Sequence, residues 1–147
     1  MTFAEYRRTL KLKTIDVCYL DYDKIYCQYN PDYEDIWIDV CGGYKIVDGL
    51  YYKQLTKWIT HAKYYKLFRG YGRSDKWIER NFAKFFDLYM DIGNNGYDQK
   101  KDFPIVLNKP IIKNKYNDSY EIWEGHRRLS ILKCLGIKQK VQLCEIV

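Results

Sequence analysis

Between Tyr120 and Leu135 the spacing of apolar residues changes once, and the change falls at Gly125. Tyr120-Glu121-Ile122-Trp123 reads as a β-strand, whereas Leu129, Ile131, Leu132 and Leu135 mark one face of a helix that Gly136 ends. A strand that runs through one glycine into a helix leaves the first amides of that helix unpaired and pointing outwards. The helix dipole adds partial positive charge there, so such an end attracts phosphate. Gly125 lets a ligand approach the backbone closely, and Arg127 and Arg128 can offer forked, charge-assisted hydrogen bonds to phosphate oxygens. His126 can add a donor or transfer a proton near neutral pH. The ordinary alternative is that both arginines are solvated and His126 merely packs. Two arginines in a first turn oppose the dipole, however, and a bound anion would offset that local cost.

The remainder of the chain divides into three parts of one domain spanning residues 1–147. Residues 1–49 read as extended, with Ile36-Trp37-Ile38-Asp39-Val40 and Tyr44-Lys45-Ile46-Val47 flanking Gly42-Gly43 in the manner of a hairpin. Residues 50–93 read as helical. Leu55, Trp58, Ile59, Ala62 and Tyr65 recur at helical steps towards a stop at Gly70. Ser74 then caps a second helix carrying Ile78, Phe82, Phe85, Tyr89 and Ile92 as one stripe, broken by Gly93-Asn94-Asn95-Gly96. Residues 103–147 hold the β-prone Phe103-Pro104-Ile105-Val106-Leu107, the turn-forming Asn117-Asp118-Ser119, the strand-turn-helix and a closing strand over 140–147. The expected fold class is α+β, a small mixed sheet flanked by helices.

With 147 residues, 47% hydrophobic and 18% aromatic, the chain has enough apolar mass for one compact core and is too rich in it for a disordered segment. Five cysteines, none at the close spacing of zinc knuckles or redox motifs, predict reduced thiols and a cytoplasmic setting. No apolar run approaches the roughly 20 residues that cross a bilayer, so no membrane partner is expected. A net charge of +6 favours anionic partners, nucleotides and DNA alike. Lysines beside tyrosines, as in Lys63-Tyr64-Tyr65-Lys66, suit single-stranded nucleic acid, but 16 tyrosines make such neighbours common by chance. His61 on its tyrosine-rich helix and Asp16, Asp21, Asp23 and Asp32 are weaker candidates, more simply read as packing or surface residues.

Trp123-Glu124-Gly125-His126-Arg127-Arg128-Leu129, followed by Leu135-Gly136 and a β-prone end, resembles the signature of the ParB/sulfiredoxin superfamily. Its members carry a Gly-x-x-Arg phosphate-binding turn, and the Phe103-Pro104-Ile105-Val106 segment resembles the strand ahead of it. The resemblance covers residues 103–147. A looser likeness to stand-alone ParB-like proteins extends to His61-Ala62-Lys63-Tyr64-Tyr65 and Gly96-Tyr97. It implies that Gly125, Arg127 and Arg128 contact nucleotide phosphates and that Glu124 stands where relatives hold an acid. His126 occupies the place of the sulfiredoxin cysteine, so sulfinic acid repair is not implied. Ser130 replaces the final arginine of the partitioning-protein motif, and little chain follows the turn, so a CTP-driven DNA clamp is not expected either.

Together these readings predict a nucleotide-binding protein, an NTPase or NTP-dependent phosphotransferase. Gly125, His126, Arg127 and Arg128 would lie on the phosphates, with Glu124 and His126 as catalytic candidates. The expected ligand is a nucleoside triphosphate, ATP or CTP, with Mg²⁺ to neutralise charge on a transferred phosphoryl group, its protein ligands left open. The alternatives are a DNA-binding regulator or nuclease-like protein gripping backbone phosphate, and a non-catalytic nucleotide-sensing module. One scaffold hosts several chemistries, so the fold does not choose among them.

Overall fold

The computed structural model describes residues 3–27, 44–97, 103–111 and 118–147. In chain order the elements are α1 (Phe3–Thr9), β1 (Leu12–Tyr19), β2 (Ile25–Cys27), β3 (Tyr44–Lys45), α2 (Leu50–Leu55), α3 (His61–Gly70), α4 (Asp75–Asn95), β4 (Ile105–Leu107), β5 (Tyr120–Glu124), α5 (His126–Leu135) and β6 (Lys140–Ile146). The fold is a mixed α+β arrangement. Its six-stranded sheet runs β1-β6-β4-β5-β2-β3. Neighbours β1/β6, β4/β5 and β2/β3 are antiparallel, whereas β4/β6 and β2/β5 are parallel.

Two hydrophobic clusters hold these layers. One joins the sheet to α5 and the C-terminal half of α4: Ile25, Val106, Ile122 and Val141 from the strands meet Phe85, Ile92, Leu129, Ile131 and Leu132. Each fully buried aliphatic side chain contributes about 1.5–3 kcal/mol relative to exposure, so α5 is held by its apolar face rather than by helix propensity. The second cluster packs α3 on the N-terminal half of α4 through Leu50, Ile59, Tyr64, Tyr65, Phe68 and Ile78. Helix α4 therefore belongs to both. Its start is fixed by Ser74, whose hydroxyl accepts from the Trp77 amide at 3.1 Å, and its end by Gly96 at φ 73°.

Three sequence expectations need correction. The N-terminal part is not extended throughout, because residues 3–9 form α1, with Glu5 in its first turn and Arg7 and Arg8 in its last, each matched to the dipole. Ile46 and Val47 lie in a 3₁₀ turn over Ile46–Asp48 rather than a strand, with Ile46 buried at 5% exposure. Burial of Ile46 and Leu50 there outweighs the β-propensity of the Ile-Val pair. The other half of the proposed hairpin, residues 36–43, lies outside the described residues, as does Cys41. Finally, the single helix expected through Leu55 and Tyr65 is two. Lys57 takes φ 64°, and the Trp58 amide reaches back to the Lys53 carbonyl at 2.8 Å, so the chain turns between α2 and α3. Trp58 is left 67% exposed, while Ile59 enters the second cluster.

Among the described residues, Cys18, Cys27, Cys134 and Cys144 form no disulfide. No helix among the described residues is long and apolar enough to cross a membrane.

Candidate functional site

The junction predicted at Gly125 is where β5 ends and α5 begins, and α5 starts at His126, one residue after the glycine. Gly125 is the N-cap residue with φ 102° and ψ 31°, in the left-handed region. A Cβ at this position would stand 3.1 Å from Pro104 Cβ and 3.1 Å from Arg128 Nη2. The proline ahead of β4 and the arginine of α5 thus close on the glycine from two sides. No side chain caps α5, and no acidic residue stands in its first turn.

Three arginines make their contacts around this helix start. Arg128 folds back over Gly125 and donates from Nη1 to the Tyr97 hydroxyl at 3.0 Å. Arg127 donates to Asn81 Oδ1 at 3.4 Å, with its guanidinium carbon 6.0 Å from the Tyr51 ring centre. Asn81 in turn donates to the Tyr64 hydroxyl at 3.0 Å, so Arg127 is tied to the α3/α4 cluster. Burial pushes the Tyr64 hydroxyl up to about 12, and it remains a neutral partner. Arg7 reaches the site from α1. It donates to the Trp123 carbonyl and lies over the Trp123 ring at 4.2 Å.

His126 contacts β2. Its Nε2 lies 3.2 Å from Cys27 Sγ on β2, next to a small cavity that Ser130 and Tyr51 also line. Burial, and then the positive charges of Arg7 and Arg127, push its imidazole down to about 3. The ring is therefore neutral near pH 7, which does not suit the proton exchange near neutrality expected from the sequence. Glu124, the second catalytic candidate, is exposed at the end of β5 and pairs in register with Ile105.

The structure thus sets Gly125, Arg127 and Arg128 at one helix end, turns Arg127 to Asn81 and Arg128 to Tyr97, and engages the His126 ring with the Cys27 thiol. It adds Arg7, Asn81 and Cys27, which the sequence reading did not select, and gives Tyr97, named in the looser family likeness, a bond to Arg128. Nothing in their local pattern marks them, because each is placed by contacts over at least 31 positions. The weaker candidates have structural partners. His61 packs against Tyr65 and Phe82 at 4.7 and 5.5 Å between ring centres, and Tyr64 and Tyr65 are core residues rather than stacking platforms. Asp21 accepts from the Asp23 amide, Asp23 pairs with Lys133 at 2.8 Å, and Asp16 accepts from the Val17 amide. Asp32 lies outside the described residues.

A second cleft, of about 440 Å³, lies at the opposite end of α5 between Tyr19, Tyr22, Lys133 and Gln139. Among the described residues no group of three or more His, Cys, Asp or Glu side chains is placed to hold a metal. No family model, curated protein or solved structure matches the chain.

Proposed function

We propose that the chain is a nucleotide-binding protein in which the β5–α5 turn holds the phosphates, and that it works as an NTPase or NTP-dependent phosphotransferase. One observation carries the reading. Arg127 and Arg128 stand in the first turn of α5, which has no acidic residue there and no side-chain cap, and Arg7 donates to Trp123 just ahead of it. Like charges gathered at the positive end of a dipole repel, and an anion seated there turns that repulsion into attraction. The left-handed Gly125, with Pro104 against it, caps α5 without a side chain, so the first amides of the helix have no capping partner from that residue.

The step from phosphate to nucleotide rests on the resemblance of the Gly-His-Arg-Arg turn to that of the ParB/sulfiredoxin superfamily. Within it, Arg127 and Arg128 bind and orient the phosphates, and His126 contributes its backbone amide. Glu124 acts as base or as a magnesium ligand. A magnesium ion carried by nucleotide phosphates needs only one or two protein carboxylates, and Glu124 adjoins the turn. When bound, the ion would neutralise charge on the transferred phosphoryl group. The free thiols accord with a reducing, cytoplasmic setting.

Thermal-shift measurements against the ribonucleoside triphosphates, with and without magnesium, test the proposal. A ligand at about 100 times its Kd raises stability by about 2.7 kcal/mol, which moves Tm by several degrees. A rise with one or more triphosphates is expected. No rise with any of them at millimolar concentration would overturn the nucleotide reading.

A further inference from the structure

We propose that Cys27 is a thiol selectively oxidised by hydrogen peroxide to a sulfenic acid, with His126 as its hydrogen-bond partner. The geometry has three parts. Cys27 Sγ lies 3.2 Å from His126 Nε2, and His126 is the first residue of α5, so the sulfur neighbours the positive end of that helix. A cavity of about 20 Å³ opens onto both side chains, lined also by Ser130, Tyr51 and Lys45. That volume admits a water-sized molecule and excludes bulky reagents.

Burial alone disfavours a thiolate, and Cys27 is only 5% exposed. The surroundings oppose this. A neutral ring with its proton on Nε2 donates directly to a thiolate sulfur. A helix N-terminus is a setting that stabilises a thiolate. Burial raises the Cys18 and Cys134 thiols instead, so the chain contains its own controls.

The chemistry is a two-electron transfer. The Cys27 proton leaves to solvent, the thiolate sulfur attacks one peroxide oxygen, an S–O bond forms and the O–O bond breaks. The departing hydroxide takes up a proton as water. Sulfur is oxidised, peroxide is reduced, and thiol plus hydrogen peroxide gives sulfenic acid plus water.

The test treats the folded wild-type protein with hydrogen peroxide, quenches, denatures and alkylates the remaining thiols, then maps each cysteine by mass spectrometry. Cys27 is expected to be lost at least about tenfold faster than Cys18, Cys134 or Cys144. tert-Butyl hydroperoxide, too large for the cavity, is expected to show no such preference. In His126→Gln, shown folded by circular dichroism, the Cys27 rate should fall towards those of the other thiols. Loss of Cys27 no faster than the partly exposed Cys18 and Cys134 in the wild type overturns the proposal, and that result needs no variant to fold. Equal loss in wild type and a folded His126→Gln overturns the role of the pair.

Discussion

At Gly125 the backbone holds φ 102°, and a methyl group there would meet Pro104 Cβ at 3.1 Å, so two independent costs fall on any side chain. Left-handed backbone costs a non-glycine residue of the order of 1–3 kcal/mol, before any displacement of Pro104. Gly125→Ala is therefore expected to lower stability by about 2 kcal/mol or more, read as the midpoint shift in urea at unchanged slope. Arg128 poses the opposite question, what its removal does to binding. A charge-assisted hydrogen bond contributes about 1.5–3 kcal/mol, so Arg128→Ala is expected to weaken triphosphate binding about tenfold or more by calorimetry. Its position at the positive helix end suggests that the ligand-free protein loses nothing. Arg128 also donates to Tyr97, however, and that bond outweighs the roughly 0.3–1 kcal/mol of dipole repulsion relieved, so a modest fall in Tm is expected. Tyr97→Phe removes the same intramolecular bond while leaving the guanidinium. It should retain most of the affinity, and if it loses as much as Arg128→Ala, the arginine serves the fold rather than the ligand.

Helix α5 is the element where local pattern and tertiary structure agree, because one apolar period specifies both its face and its ends. Leu129, Ile131 and Leu132 are fully buried, and Gly136 adopts φ 67° at the C-cap. The same holds for α4, whose cap at Ser74 and stripe of Ile78, Phe85 and Ile92 follow from spacing alone. Elsewhere short segments defeat the pattern. The α2–α3 break at Lys57 has no glycine or proline to announce it, and α1 is too short to show a period. The site was legible only where it is local. Gly125, Arg127 and Arg128 follow from the turn, whereas Arg7, Asn81, Tyr97 and Cys27 arrive through the folding of distant elements, and the direction of the His126 side chain depends on β2. That direction has a measurable consequence. His126 has an ordinary pKa of 6.5 and is pushed down to about 3 in the fold. The unfolded chain therefore takes up a proton below about pH 6.5 that the folded chain refuses. Stability is present above that pH and declines as pH falls from 6.5 towards 3. Asp23 and Asp75, held below the ordinary carboxylate range by Lys133 and Arg69, add to the loss at the acid end of that window. Comparing Tm against pH for wild type and His126→Gln isolates the histidine. The variant should show the shallower slope between pH 6.5 and 4, and parallel curves would mean that the ring titrates freely.

Across the whole molecule, charge and architecture bear differently on the choice between a nucleotide and a nucleic acid. The net charge of +6 would draw either ligand, and by long-range attraction alone it cannot separate them. The positions of the positive side chains separate them better. Arg127 and Arg128 both leave the first turn of α5, held by Asn81 and Tyr97, with Arg7 on Trp123 just ahead of it, and a few fixed positive groups at one helix end suit a single phosphate ligand better than a run of backbone phosphates. The tyrosines beside Lys63 and Lys66 are buried in the second core cluster and present no stacking surface. Salt dependence turns this difference into a measurement, since every phosphate neutralised on a polyanion releases condensed counterions. A protein making six to ten contacts to DNA loses about 10³–10⁵ in affinity between 50 and 200 mM salt. A triphosphate bound at one turn by hydrogen bonds of fixed direction lacks that counterion atmosphere, and its affinity should fall about tenfold or less over the same range. Titrations of a triphosphate and of a short single-stranded oligonucleotide at both salt concentrations are expected to leave the nucleotide the tighter ligand at 200 mM. If the oligonucleotide instead binds more tightly there, with a steep slope that Arg127→Ala and Arg128→Ala each reduce by about one unit, the turn grips a nucleic-acid backbone and the enzymatic reading fails.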